Sequence, residues 1–395
     1  MKFLRIITVL LFAAVILVPV CCFNTTPDAV SLIDNRKLTI NPFELEGDLT
    51  KNIENYVNDR IGLRDEAITA YTILNDKLFG KMVHPSYSYG KNGYVFGSGI
   101  TTYNNFGDYH IAFADMVIEI QKYCEERNVP FLFVFNPAKP AVYREQIADG
   151  INYNREWVDL FFEELDKWGV HYWDNTQTLI SLKENGVDGF NQKYDANHWN
   201  DLGAFYGTQA ILQCLKEQCS NVHINALEEF TVGQTTKESL LVSKFPIHEQ
   251  VPSWSLNVPI TNLSSKYISG LDLHQSFSEF GYYVNNAEAV KNTPKALVFQ
   301  GSYMNVLGCK YFQNAFNEYI HVHDYQNVID FPYYFNIFQP ECVVFEVSEY
   351  TFSSTYFDQQ KMCDIDFNPS LHTMESSAYS SVNLKIGRAS CRERV

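Results

Sequence analysis

Tyr194-Asp195-Ala196-Asn197-His198-Trp199-Asn200 and, about a hundred residues later, Phe299-Gln300-Gly301-Ser302-Tyr303 hold the side chains that acyl transfer requires. The first stretch supplies a carboxylate and an imidazole three residues apart; the second sets a serine directly after an apolar strand. Asp195 is near enough in sequence to bind Nδ1 of His198 and fix its tautomer, which leaves Nε2 to take a proton from a hydroxyl. Ser302 is the hydroxyl this pattern offers as nucleophile. Gly301 permits a tight strand-to-helix turn, and backbone N–H groups at the start of the following helix are placed to stabilise an oxyanion. Gln300, Gly301 and Tyr303 are therefore candidates for the oxyanion hole or substrate cleft.

Other residues rank behind these. Asn136 and Lys139 lie in Asn136-Pro137-Ala138-Lys139-Pro140, after a buried strand, where α/β proteins collect their sites. They join Trp199, which flanks the histidine, as candidates to line the cleft. His321-Val322-His323-Asp324 has the HxH spacing that puts two imidazoles on one face of a strand. No further ligand is near them in sequence, and no metal site is assigned. Arg60, Arg64 and Asp65 fit solvated helix charges.

The elements that must position these groups alternate. Apolar recurrence at three and four through Ile68, Tyr71, Leu74 and Leu78 predicts a helix over 52–79, stopped by Gly80. Asn92-Gly93 before Tyr94-Val95-Phe96 predicts a hairpin turn. A helical face runs through Phe106, Tyr109, Phe113, Val117, Ile120 and Cys124, then the unbroken apolar run Phe131–Phe135 predicts a strand buried on both faces. A helix through Trp157, Phe161 and Leu165, a short strand at 170–173, a helix at 201–216 capped by Asn200 or Asp201, and strands at 296–299, 319–322 and 342–347 follow. Such alternation predicts a parallel sheet between helices. Residues 218–294, with Pro246, Pro252 and Pro259, break the rhythm and are expected to be an insertion or lid.

The chain has 395 residues, 46% hydrophobic and 15% aromatic, enough for a substantial core, and a formal charge of -16. So acidic a chain argues against nucleic acid as a partner. Lys2 and Arg5 precede an apolar run to Phe23, which predicts a membrane anchor over 1–23, with a cleaved signal or lipidation at Cys21 or Cys22 as the other readings. The basic flank places the remainder outside the cytoplasm. A polar spacer is expected over 24–50, the catalytic domain over 51–352, and a polar tail over 353–385. The nine cysteines form no CxxC pair and fit small buried hydrophobes, with one disulfide left open. Residues 386–395, Ile-Gly-Arg-Ala-Ser-Cys-Arg-Glu-Arg-Val, back-translate into a common sequencing adapter and are expected to be non-native, the true C-terminus being lost.

Taken in order, the motifs resemble the SGNH-hydrolase-like O-acetyltransferases of exopolysaccharide export (AlgJ/AlgX-like) and the related DHHW proteins. The resemblance covers about residues 50–352. It runs through Asn58-Asp59-Arg60-Ile61-Gly62-Leu63-Arg64-Asp65, Gly90–Phe96, Pro137-Ala138-Lys139 with Tyr143, Asp195–Trp199 with Gly203-Ala204, Gly301-Ser302-Tyr303, and Val343–Glu346. The serine comes last, as in that family. Three positions depart from its pattern: Ala196 stands where Asp is usual, Gln300 where Gly is frequent, and Glu349-Tyr350 where Glu-Arg is usual. The resemblance implies a flavodoxin-like, three-layer α/β sandwich of permuted SGNH type. It further implies transfer of acetyl through Ser302, His198 and Asp195 to a polysaccharide, without a cofactor, the donor arriving through a membrane-bound acyltransferase. An acetylesterase with the same triad and a non-catalytic glycan-binding protein are the alternatives.

Overall fold

The computed structural model describes residues 2–27, 29–31, 33, 36–101, 104–241, 243, 245–365 and 367; the tail 386–395 lies outside them. The chain divides into two compact units, one of residues 1–99, 192–196 and 236–249, the other of 100–191, 197–235 and the residues from 250 onward.

The first unit begins with the apolar helix Lys2–Cys21, 20 residues long and apolar enough to cross a membrane. Two helices follow in place of the single one predicted over 52–79: Leu49–Arg60 and Arg64–Phe79. The break falls where Cys22, forty residues earlier, approaches the chain. Leu63 takes a left-handed conformation (φ +62°), and any Cβ on Gly62 would collide with Cys22. Gly80 ends the second helix in the left-handed region, as read from sequence. Arg60 is not a solvated charge. It is buried, and its guanidinium donates to the carbonyls of Asn24, Thr26, Pro27 and Thr39, tying the spacer down. Arg64 pairs with Asp65 at 3.1 Å in a partly exposed setting. The predicted hairpin joins Tyr87–Tyr89 to Val95–Gly97 through Asn92 and Gly93, both at positive φ.

The second unit is built on a seven-stranded sheet. Its order is Tyr172–Asp174, Phe131–Asn136, Cys342–Ser348, Ala296–Gln300, Glu318–His323, Phe280–Asn285, Ile260–Asn262. The first five strands pair in parallel, and the last two pairings, both made by Phe280–Asn285, are antiparallel. All six residues of Phe131–Asn136 are buried, because helices cover both faces. On one face Asp108–Glu125, Glu156–Lys167 and Phe331–Phe338 close an aromatic core around Phe113, Phe133, Phe299 and Phe345. Asp201–Gln218 and Cys309–Ala315 pack against the other. The architecture is an α/β sandwich with a mostly parallel central sheet.

Two expected boundaries change. Residues 218–294 are not wholly a lid: Ile260–Asn262 and Phe280–Asn285 extend the central sheet at its edge. The tail expected from 353 starts too early, since Phe357 and Met362 are buried in the core and Gln359–Cys363 packs on Asp108–Glu125. Cys21, Cys22, Cys124, Cys214, Cys219, Cys309 and Cys342 carry free thiols.

Candidate active site

Parallel strands end on the same edge of their sheet, so the loops after Phe131–Asn136, Ala296–Gln300 and Cys342–Ser348 emerge side by side. Ser302 opens the helical stretch after the second of these. His198 precedes Asp201–Gln218, whose N-cap is Asn200: its Oδ1 accepts from the Leu202 and Gly203 N–H groups at 2.9 and 3.0 Å. The two meet. His198 Nε2 lies 2.9 Å from Ser302 Oγ, within the reach that proton transfer needs. The 6 Å or more that would favour a non-catalytic fold is not found.

Tyr303 explains why the loops are held in register. It is fully buried, and its hydroxyl sits 2.9 Å from the Pro137 carbonyl oxygen and 2.6 Å from that of Asn197. Its own carbonyl accepts from the Trp199 indole at 3.0 Å. Trp199 is likewise buried, its ring against Tyr303. One tyrosine and one tryptophan thus join the residues before His198, the residue after Ser302 and the loop after Asn136. Both are positioning residues, not the cleft lining expected from sequence.

The remaining cleft candidates are also buried. Gln300 donates to Asn305 Oδ1 at 2.6 Å and accepts from the Tyr319 hydroxyl, so its side chain is committed to the interior. The Gly301 N–H donates to Glu346 Oε2 at 2.8 Å and is not an oxyanion donor. The Ser302 N–H, at the helix mouth, is the better candidate for that role. Asn136 spans Glu346 Oε1 (2.7 Å) and the Asn175 side chain (2.8 Å), and Lys139 is fully buried. The carboxyl of Glu346 is pushed up to about 8, mainly by burial and then by Asp324, while the Asn136 and Gly301 donors pull it back.

Asp195 belongs to the first unit. There the Glu249 carboxylate accepts from the Gln192, Lys193 and Tyr194 N–H groups at 2.7, 3.0 and 2.5 Å. Asp195 is buried, at φ +53°, and near enough to Tyr87 to raise that phenol's pKa further after burial has raised it. The HxH pair is absorbed by the second unit's interior. His321 stacks between Tyr283 and Tyr319, and burial holds it neutral with a pKa near 3. His323 pairs with Glu279 at 3.0 Å and Asp324 at 3.2 Å, which carry it up to about 9 against the opposing effect of burial.

Two groups at the site escaped the sequence reading. Glu346 was only part of the last strand, although a lone carboxylate in Val343-Val344-Phe345-Glu346-Val347 is a signal in itself. In the sequence Tyr350 is marked only by standing where the resembled pattern has arginine. Its hydroxyl lies 2.5 Å from Ser302 Oγ and 3.1 Å from His198 Nε2.

With this geometry in view, residues 89–267 match a protein family described as an SGNH hydrolase-like domain of the acetyltransferase AlgX. That stretch includes His198 and stops before Ser302. No curated protein matches the chain. Among solved structures, Bacillus cereus PatB1 with a sulfonyl adduct superposes with a TM-score of 0.50 at 16% identity, covering 67% of this chain and 94% of that one; this likeness concerns the fold. The O-acetyltransferase domain of Pseudomonas putida AlgJ gives 0.47 at 14% identity over 70% and 97%. A DHHW family protein from Eubacterium siraeum gives 0.49 at 14% over 70% and 95%. By that family match, residues 89–267 are similar to the SGNH hydrolase-like domain of the acetyltransferase AlgX.

Proposed function

We propose that this protein is an O-acetyltransferase that passes an acetyl group through Ser302 to a polysaccharide hydroxyl outside the cytoplasm. The observation that carries the reading is the 2.9 Å approach of His198 Nε2 to Ser302 Oγ, from loops about a hundred residues apart. In the first step His198 takes the Ser302 proton as Oγ bonds to the acetyl carbonyl carbon. The donor's acyl bond then breaks, and the leaving group receives that proton. In the second step a sugar hydroxyl gives its proton to His198, bonds to the acetyl carbon and releases Ser302, which recovers the proton. Asp195 is assigned the carboxylate role on its spacing from His198. The Ser302 N–H is assigned to the oxyanion. Neither step requires a cofactor. The apolar helix Lys2–Cys21 fits a signal or an anchor. A membrane-bound acyltransferase is the proposed source of acetyl.

The test uses the full chain in detergent micelles with nitrophenyl acetate as donor. Nitrophenol release and an acetylated Ser302 peptide are expected. Ser302→Ala and His198→Ala should each lower release by at least about 10³-fold. Activity surviving both substitutions would end the assignment.

A further inference from the structure

The second step needs an oxygen in one particular place. The acceptor must touch His198 Nε2, to lose its proton, and must lie beside Ser302 Oγ, whose acetyl carbon it attacks. The Tyr350 hydroxyl meets both conditions, at 3.1 Å from the nitrogen and 2.5 Å from the oxygen. Chemically it is a phenol oxygen standing where the acceptor alcohol, or a water, would stand.

Its support is rigid. Tyr350 lies in the turn Glu349–Thr351, directly after the strand Cys342–Ser348. Glu349 is buried, accepts from Arg155 and Tyr153 at 2.8 Å each, and accepts from the Ala138 N–H at 3.0 Å. The turn is therefore fixed while the tyrosine side chain, 36% exposed, reaches over the site from its open side. Its ring stands edge-on to the His198 imidazole, at 83° with centroids 6.1 Å apart.

Resting on the acyl-transfer reading of Ser302 and His198, we propose that Tyr350 occupies the acceptor position, excludes water from it and so makes the site a transferase rather than an esterase. Water brings one small hydroxyl and little contact area with which to displace a tyrosine side chain. A glycan brings an extended surface, and its binding energy moves the phenol aside as its own hydroxyl takes the place. In the wasteful alternative a water oxygen bonds to the acetyl carbon and its proton passes through His198 to Ser302. The Oγ–carbon bond then breaks, giving acetate and free serine. Tyr350 controls how often that happens. It is a specificity-determining residue, and its signature is the fate of the acetyl-enzyme.

The experiment is pre-steady-state hydrolysis of nitrophenyl acetate by the full chain without any glycan. In the wild type a burst of nitrophenol, one per enzyme, should precede a slow steady rate set by attack of water. In Tyr350→Phe the ratio of steady rate to burst rate should rise about tenfold, equivalent to about 1.4 kcal/mol. Tyr350→Leu should raise it at least as far, and an unchanged melting temperature shows that either variant is folded. An unchanged or lower ratio in both variants overturns the proposal, and so does a wild-type steady rate as fast as its burst. A wild type with no Ser302-dependent nitrophenol release at all fails the underlying acyl-transfer reading instead.

Discussion

Glu346→Gln probes the turn that presents Ser302. Glu346 is 1% exposed. Its carboxyl moves from 4.5 to about 8 on burial. Between those pH values the folded protein keeps a proton that the unfolded chain has lost, so this group's contribution to stability falls as pH rises from about 4.5 to 8 and is level above. At about 1.4 kcal/mol for each tenfold change in proton affinity, the full cost is roughly 5 kcal/mol. Glutamine abolishes the titration, but it has one acceptor for two donors. Either Asn136 Nδ2 or the Gly301 N–H then faces an amide NH₂, at about 1–3 kcal/mol. Near pH 5, where the wild type has already lost about 1 kcal/mol, the variant should be less stable by about 0–2 kcal/mol; at pH 9 it should be more stable by about 2–4 kcal/mol. Thermal unfolding of both proteins from pH 5 to 9 should give melting curves that cross between about pH 5 and 7. Two parallel curves would refute the reasoning, because they would mean that no proton is held on Glu346 in the folded state.

Three further substitutions test how the loops are held. Gly207→Ala should destabilise by about 1–3 kcal/mol. Its Cβ would stand 2.5 Å from Trp199 Cζ3, whereas relief of glycine in a helix normally gains about 1 kcal/mol; a raised melting temperature would contradict the packing. Gly203→Ala should cost at least as much, since its Cβ would collide with the backbone carbonyl of Gly189, and a neutral result in thermal unfolding would count against that contact. Arg155→Ala leaves the Glu349 carboxylate, 4% exposed in its side chain, without its cation. It should cost about 3–5 kcal/mol, and a loss below about 1 kcal/mol would show the pair to behave like a surface one.

Legibility from sequence followed the strength of local signals. Phe131–Phe135 and Ala296–Phe299 are unbroken apolar runs because both faces are covered, and Asn200 announces its helix through its capping oxygen. Phe280–Asn285 and Ile260–Asn262 were obscured, because the antiparallel end of the sheet buries less and carries no continuous apolar run. The break at Leu63 was invisible because its cause, the approach of Cys22 to Gly62, is distant in sequence. The burial of Arg60 is of the same kind, since its partners are carbonyls 21 to 36 residues away. Gln300, Lys139 and Asn136 were read as cleft residues from their place after strands. That place fixes the edge of the sheet but not which way a side chain turns, and here they turn inward.

Glu346 and Tyr350 were missed for a more instructive reason. Their roles come from sheet register, which pairs Phe299 with Phe345 across two parallel strands. That pairing brings Glu346 level with Gln300, one residue short of Gly301, so its carboxylate reaches the Gly301 N–H. It also makes the chain after Ser348 leave the sheet beside the chain after Gln300, which brings Tyr350 over Ser302. Neither residue belongs to a motif shared with Ser302 in sequence; they are joined to it only through the ladder. The two residues following a strand that neighbours the strand before Ser302 are accordingly the place to seek side chains that reach Ser302. In this chain they are Glu349, which anchors the turn, and Tyr350, whose hydroxyl meets Ser302 and His198.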